Sequence, residues 1–381
     1  MRRHKRIHQA LKKGTKQTLQ RMIACRTIKS EGGRFEKKNN EVPFVSDITK
    51  FRSLSIVGLE KNTGKTVCLN YILKRLHDMG LRCAVTSIGV DGEQTDAVFG
   101  SAKPEITLYE GMRFITSEKH YRQRRLVSRI LAVDPRRTSL GRLVTAEVEC
   151  GGRILLSGAA STGLLRSQID DFGRQGVPLT IVDGALSRLS LASPTVTDAM
   201  VLATGAAVSP SLSQLISRTR FVCRLIALDE TEPELQSRLS PLGQGLWAVD
   251  GDNNVHDLHL SSVFLLDKNE TNLFECGTTL FAAGAVSDRL LKYLSAQKCI
   301  AETRLIVRDF TKFFVSPEAF NDFCRRGGKI EVLQRSNLIA VCLNPTSPQG
   351  YNLNSDEACK ALSDAIGLPV YDVMKNPSHQ Q

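Results

Sequence analysis

Residues 53–75 read SLSIVGLEKNTGKTVCLNYILKR, and the reading of the fold turns on this stretch. Leu54, Ile56 and Val57 make an apolar, β-prone run into GLEKNTGKT; Val67, Leu69, Ile72, Leu73 and Leu76 then recur at helical spacing. Strand, glycine-bearing loop, Gly-Lys-Thr and helix is the layout of a phosphate cradle. Loop amides and the helix N-terminus would present donors to a polyphosphate. Gly58, Asn62, Thr63 and Gly64 form the candidate cradle, and a Cβ at Gly64 would crowd the phosphates. Lys65 is the candidate neutraliser of the β- and γ-oxygens, and Thr66 the candidate Mg²⁺ ligand. The competing reading is an ordinary strand-to-helix turn with a solvated Lys65. It leaves unexplained why two glycines and GKT fall at one turn.

Charge is distributed unevenly. Residues 1–40 hold 13 of the 51 Lys/Arg and 2 of the 39 Asp/Glu, which is 13 − 2 = +11. The rest carries 38 basic and 37 acidic groups, 38 − 37 = +1. Basicity therefore belongs to residues 1–45, expected to be a disordered tail or an over-long start with Met22 as an alternative. A nucleic-acid arm or an organellar transit segment is the sharper reading of that tail. The remainder gives no reason to expect a nucleic-acid partner. No run approaches about 20 apolar residues, so no membrane span is expected. Ten scattered cysteines without a C-x-x-C pair suggest free thiols in a reducing cytoplasm.

Beyond Gly80, residues 81–88 read as a second strand, followed by the acidic, glycine-rich GVDGEQTDAVFG. Asp91, Glu93 and Asp96 there are candidate Mg²⁺ or water-positioning groups, against a merely solvated acidic loop. Residues 118–132 suggest a helix, 154–163 a strand with a small-residue loop, and the next segment a helix to about 175. The strand in 177–183 closes in Asp183, where a carboxylate would hold a Mg²⁺ water; a capped turn is the alternative. The loop beyond it, residues 187–197, is hydroxyl-rich and could line a second-substrate or effector pocket. A strand over 200–206, a helix opened by Ser209-Pro210 and a strand over 221–229 continue the alternation. Asp250-Gly251-Asp252 suggests a hairpin, and Asn344 opens a loop that is either ligand-binding or a Pro-fixed turn. With no N-K-x-D guanine reader present, ATP is favoured over GTP.

The five-residue spacing between Gly58 and Gly64 resembles the loop of dethiobiotin synthetases and the wider class containing septum-site and nitrogenase-iron-protein ATPases. That group's second signature lysine would fall at Glu60, one position before Lys61, which argues against an intermonomer lysine. The phrases SIVGLEKNTGKTVCLNYIL, TSIGVDGEQTD, KPEITLYEG, TSLGRL, DGALSRLSLASP and AVCLNPTSPQGY are similar to the P-loop subunit of the lysine 5,6-aminomutase reactivase. That resemblance implies a chaperone-like ATPase that restores a cobalamin-dependent lysine or ornithine aminomutase, together with a larger MutS-related partner ATPase.

The expected architecture is α/β: a P-loop NTPase with a mostly parallel sheet covered by helices on both faces, residues 50–230, plus a smaller α/β module, 275–377. Expected ligands are ATP and Mg²⁺, the metal on Thr66, Asp183 and Asp91. Lys65 with Asp91 or Glu93 would carry hydrolysis. A dethiobiotin-synthetase-like ligase or kinase and a non-catalytic nucleotide sensor are the alternatives.

Overall fold

The first eight strands are β1 (Ser53–Gly58), β2 (Ala84–Ser87), β3 (Ile106–Leu108), β4 (Arg113–Ser117), β5 (Arg125–Thr138), β6 (Gly141–Ile154), β7 (Thr180–Gly184) and β8 (Ala199–Gly205), of which β1 and β8 are buried throughout. They are followed by β9 (Leu246–Val249), β10 (Val255–Leu260), β11 (Thr279–Ala282), β12 (Val286–Ser287), β13 (Arg304–Val307), β14 (Phe313–Phe314), β15 (Lys329–Val332), β16 (Asn337–Asn344) and β17 (Val370–Tyr371). The helices are α1 (Phe44–Ile48), α2 (Lys65–Asp78), α3 (Glu118–Arg122), α4 (Thr162–Arg174), α5 (Leu212–Ile226), α6 (Pro233–Leu239), α7 (Asp288–Ser295), α8 (Pro317–Arg325) and α9 (Ser355–Ile366). This computed structural model describes residues 44–88, 105–184, 192–260 and 273–375. All of them fall in one unit, Val42–Gln381.

The larger sheet has the order β17-β16-β8-β1-β7-β2-β4-β6-β3, with β5 on β6. From β17 to β4 every pairing is parallel. The pairings of β6 with β4, β3 and β5 are antiparallel. The protein is thus α/β with mixed sheets, where a mostly parallel sheet was expected. The difference arises at residues 125–154, a long hairpin. Residues 118–132 were expected to be helical, yet α3 stops at Arg122 and Val127, Ile130 and Val133 lie in β5. Pairing to β6 satisfies the backbone of this segment, and β-branched side chains suit a strand.

Alternate residues of the central strands enter opposite cores. Leu54, Ile56, Val201 and Cys342 pack with Leu69, Ile72 and Leu73 of α2. Val57, Leu202, Val341 and Leu343 pack on the other face with Leu215 of α5 and Leu362 of α9. Burial on both faces explains why these strands read as near-continuous apolar runs.

Two other segments differ from expectation. Of the strand expected over 221–229, residues 221–226 are instead the end of α5, with Cys223, Leu225 and Ile226 buried. A short apolar run does not by itself distinguish a strand from a buried helix turn. Residues 155–158 follow β6 without forming a strand of their own; Gly158 passes so close to Ser87 that a Cβ there would be 1.5 Å from the Ser87 carbonyl oxygen, and Ala159 bridges to Ile88.

A second sheet, β10-β9-β11-β13-β15, is built from residues 246–332. The hairpin expected at 250–252 joins β9 and β10, with Asp250 accepting from the amides of Asp252 and Asn254. Residues 275–377 are divided between the sheets, since β16 pairs with β8 and returns the chain to the first one. Among the described residues no helix is long and apolar enough to cross a membrane.

Candidate functional site

Four strand ends converge on the loop between β1 and α2. Parallel register sets Ile56 beside Asp183 on β7 and Gly58 beside Ala203 on β8. Gly205 in turn is opposite Asn344 on β16. The start of β1 is fixed by Asp198, whose carboxylate accepts from the amides of Arg52 and Ser53 at 3.1 Å. These contacts place the loop at the C-terminal edge of the parallel strands, where α/β sheets bind ligands.

Within the loop, backbone shape is set by a few contacts. The Leu59 amide donates to the Ala203 carbonyl at 2.8 Å, and Thr63 Oγ1 donates to the Glu60 carbonyl at 2.9 Å. A side chain at Gly58 would meet Thr63 Oγ1 at 2.3 Å. Asn62 and Gly64 have φ of 63° and 86°, a left-handed conformation that suits asparagine and glycine. Gly64 is the N-cap of α2 and contributes no side-chain cap to the helix amides. Those amides carry the partial positive charge of a 14-residue helix.

Around this loop the charged groups are sorted. Glu60 is held by Arg218 of α5 at 2.8 Å. Lys65, half-buried, makes no ion pair with any described residue. Asp183 has one carboxylate oxygen buried without a hydrogen-bond partner among the described residues. Its backbone is held by Ser87, whose Oγ donates to the Asp183 carbonyl at 3.2 Å. A buried carboxylate oxygen without a partner is costly unless a cation or water completes it.

Asn344 was a candidate for contacting the ligand; its amide is committed to the loop. Nδ2 donates to the Asn62 carbonyl at 3.2 Å and Oδ1 accepts from the Thr346 amide. Asn344 therefore positions the cradle from behind. Two residues earlier on the same face of β16, the Cys342 sulfur lies 3.4 Å from that of Cys68 in the first turns of α2. Contact with Cys68 and burial hold the Cys342 thiol well above its usual pKa. Cys68, Cys342 and Arg218 were missed by sequence reasoning: single thiols and an arginine on a helix carry no local signal, and only the sheet order brings them to the loop.

Residues 89–104, with Asp91, Glu93 and Asp96, lie outside the described residues. So does the first part of the hydroxyl-rich segment, 187–191. Its described part is anchored, with Ser193 donating to the buried Asp309 at 2.8 Å and Thr197 to Ser55 at 3.1 Å. Among the described residues no group of three or more His, Cys, Asp or Glu could hold a metal ion. Mg²⁺ needs no such cage: it binds through one or two carboxylates and substrate phosphates, keeping several waters. The Thr66 hydroxyl and Asp183 fit that pattern of donors.

No family profile matches the chain, and no curated protein or solved structure is significantly similar to it.

Proposed function

We propose that this protein binds and hydrolyses ATP with Mg²⁺ at the β1–α2 loop, as a P-loop NTPase. The observation that carries the reading is the pairing of a helix start without a side-chain cap with a buried oxygen of Asp183 that has no partner among the described residues. One would receive phosphate oxygens and the other a metal water. Lys65, free of ion pairs among the described residues, would neutralise the β- and γ-phosphates. Thr66 and Asp183 would hold the metal, which supplies charge neutralisation of the transferring phosphoryl group. Asp91 or Glu93 would orient the attacking water. Asn344 and Thr63 keep the loop amides aimed, so less reorganisation is needed during reaction.

The chain's role would be that of the ATPase subunit of a reactivation complex for a cobalamin-dependent lysine or ornithine aminomutase, acting with a larger MutS-related ATPase. Its support is the set of sequence phrases similar to that reactivase subunit. Steady-state phosphate release tests it. Basal hydrolysis by the isolated chain should be low and rise by about tenfold or more with the co-expressed partner and damaged aminomutase. Strong stimulation by a small carboxylate alone would favour a ligase like dethiobiotin synthetase instead. ATP binding without turnover would leave a nucleotide sensor.

A further inference from the structure

The β5–β6 hairpin carries apolar surface that the fold does not use. Of the seven exposed large hydrophobic side chains among the described residues, four lie on β5: Val127, Ile130, Leu131 and Val133, the first two 55% and 51% exposed. Single exposed aliphatics are ordinary, but four within seven residues of one strand are a patch. From Arg129 to Arg137 every residue except Asp134 is exposed, so this part of the strand buries neither face. Among the described strands β5 pairs only with β6, whose other edge is occupied by β4 and β3. Its outer edge is therefore unpaired among the described strands.

Charge narrows what could cover it. β5 holds Arg125, Arg129, Arg136 and Arg137 against the single carboxylate Asp134. Asp134 is taken by Arg136 at 2.8 Å, Arg129 reaches Glu147 and Glu149 of β6 at 3.3 and 3.9 Å, and Arg125 reaches Glu105 at 3.7 Å. All three arginines stay exposed, so these pairs are screened and leave donors for a partner. Arg137 makes no ion pair with a described residue. A second copy would set four arginines against four, and residues 1–40, with 13 basic and 2 acidic groups, would also be repelled. The strand has no aromatic side chain on which nucleic-acid bases could stack. Four irregularities in its pairing to β6 disfavour indiscriminate extension of the sheet.

We propose that the exposed side of β5 is a docking surface for a partner protein presenting carboxylates interleaved with aliphatic side chains. Val127, Ile130 and Val133 would supply the buried centre, and Arg129 and Arg137 the steering rim. This does not depend on the nucleotide reading.

Fluorescence anisotropy of the full chain with labelled peptides tests the proposal. One peptide alternates glutamate with valine and isoleucine; a control of equal length and charge alternates glutamate with serine. The first should bind about tenfold more tightly than the control, and lose about tenfold with Ile130→Ser plus Val133→Ser or with Arg129→Glu plus Arg137→Glu. The first double variant alters exposed positions and should melt within about two degrees of the parent, and the second, which sets a carboxylate beside Glu147, a few degrees lower with its cooperative transition kept. Equal binding of the two peptides, no binding of either, or insensitivity to both variants would overturn the proposal. Preferential binding of an oligothymidylate or of anionic phosphatidylserine vesicles, or a dimer in sedimentation that Ile130→Ser dissolves, would also overturn it. Either outcome assigns the surface to another occupant.

Discussion

Gly64 is packed directly against Asn344: a Cβ on the glycine would come within 2.8 Å of the asparagine Cβ. The start of α2 and the end of β16 are thus built against each other, although they lie at opposite ends of the described chain. The same asparagine holds the Asn62 carbonyl. A residue of the C-terminal third therefore shapes the loop on which the proposed chemistry depends.

Gly64→Ala tests this contact. It combines the steric conflict with a φ of 86°, and should cost about 2 kcal/mol in urea unfolding. Asn344→Gly relieves the steric conflict but loses the bonds to Asn62 and Thr346, so the double variant should be less destabilised than the sum of the two single ones. A fully wild-type stability for Gly64→Ala would show that the loop has room the geometry denies.

Asp183→Asn should leave folding intact or raise stability by up to about 1 kcal/mol, because it removes charge from a part-buried group with one oxygen that has no partner among the described residues. In the same protein the Mg²⁺ dependence of phosphate release should vanish. A marked loss of stability with unchanged Mg²⁺ dependence would make Asp183 a structural cap.

The legible part of the molecule was its local pattern. The β1–loop–α2 unit, the strand ending at Asp183 and the helix over residues 162–174 follow from apolar period, glycine placement and capping. What remained hidden is set by pairing. Nothing local in residues 125–138 distinguishes a basic helix from a ribbon, and the pairing with β6 decides it. The run at 221–226 is apolar enough for either element, and continuation of α5 decides it. Asn344 could be marked as a loop residue, but its turn toward Asn62 follows from β16 pairing beside β8.

Acid should weaken the second sheet through Glu232. Its hydrogen bond to Arg304 lowers its pKa to about 2. An unfolded glutamate titrates near ~4.3, so the stabilisation is fully present above that value and lost as pH falls toward about 2. Because the Glu232 side chain is 61% exposed, screening limits the effect to about 0.5 kcal/mol. Arg304→Ala should abolish this slope and cost about 2 kcal/mol near neutral pH, since Glu331 also loses its partner. Urea midpoints at about pH 6 and pH 3, for parent and variant, report both. An unchanged slope in Arg304→Ala would assign the acid sensitivity to other carboxylates.

The central claim, a nucleotide cradle at Gly58–Thr66, is tested most directly by isothermal titration of the full chain with ATP and Mg²⁺, beside Lys65→Ala. The account predicts saturable, Mg²⁺-dependent binding by the parent. Lys65→Ala should weaken it by about tenfold or more while its melting temperature in the absence of nucleotide stays unchanged, because Lys65 neutralises phosphate and makes no ion pair among the described residues. Equal affinity of the two proteins for ATP, or no binding by the parent, would contradict it.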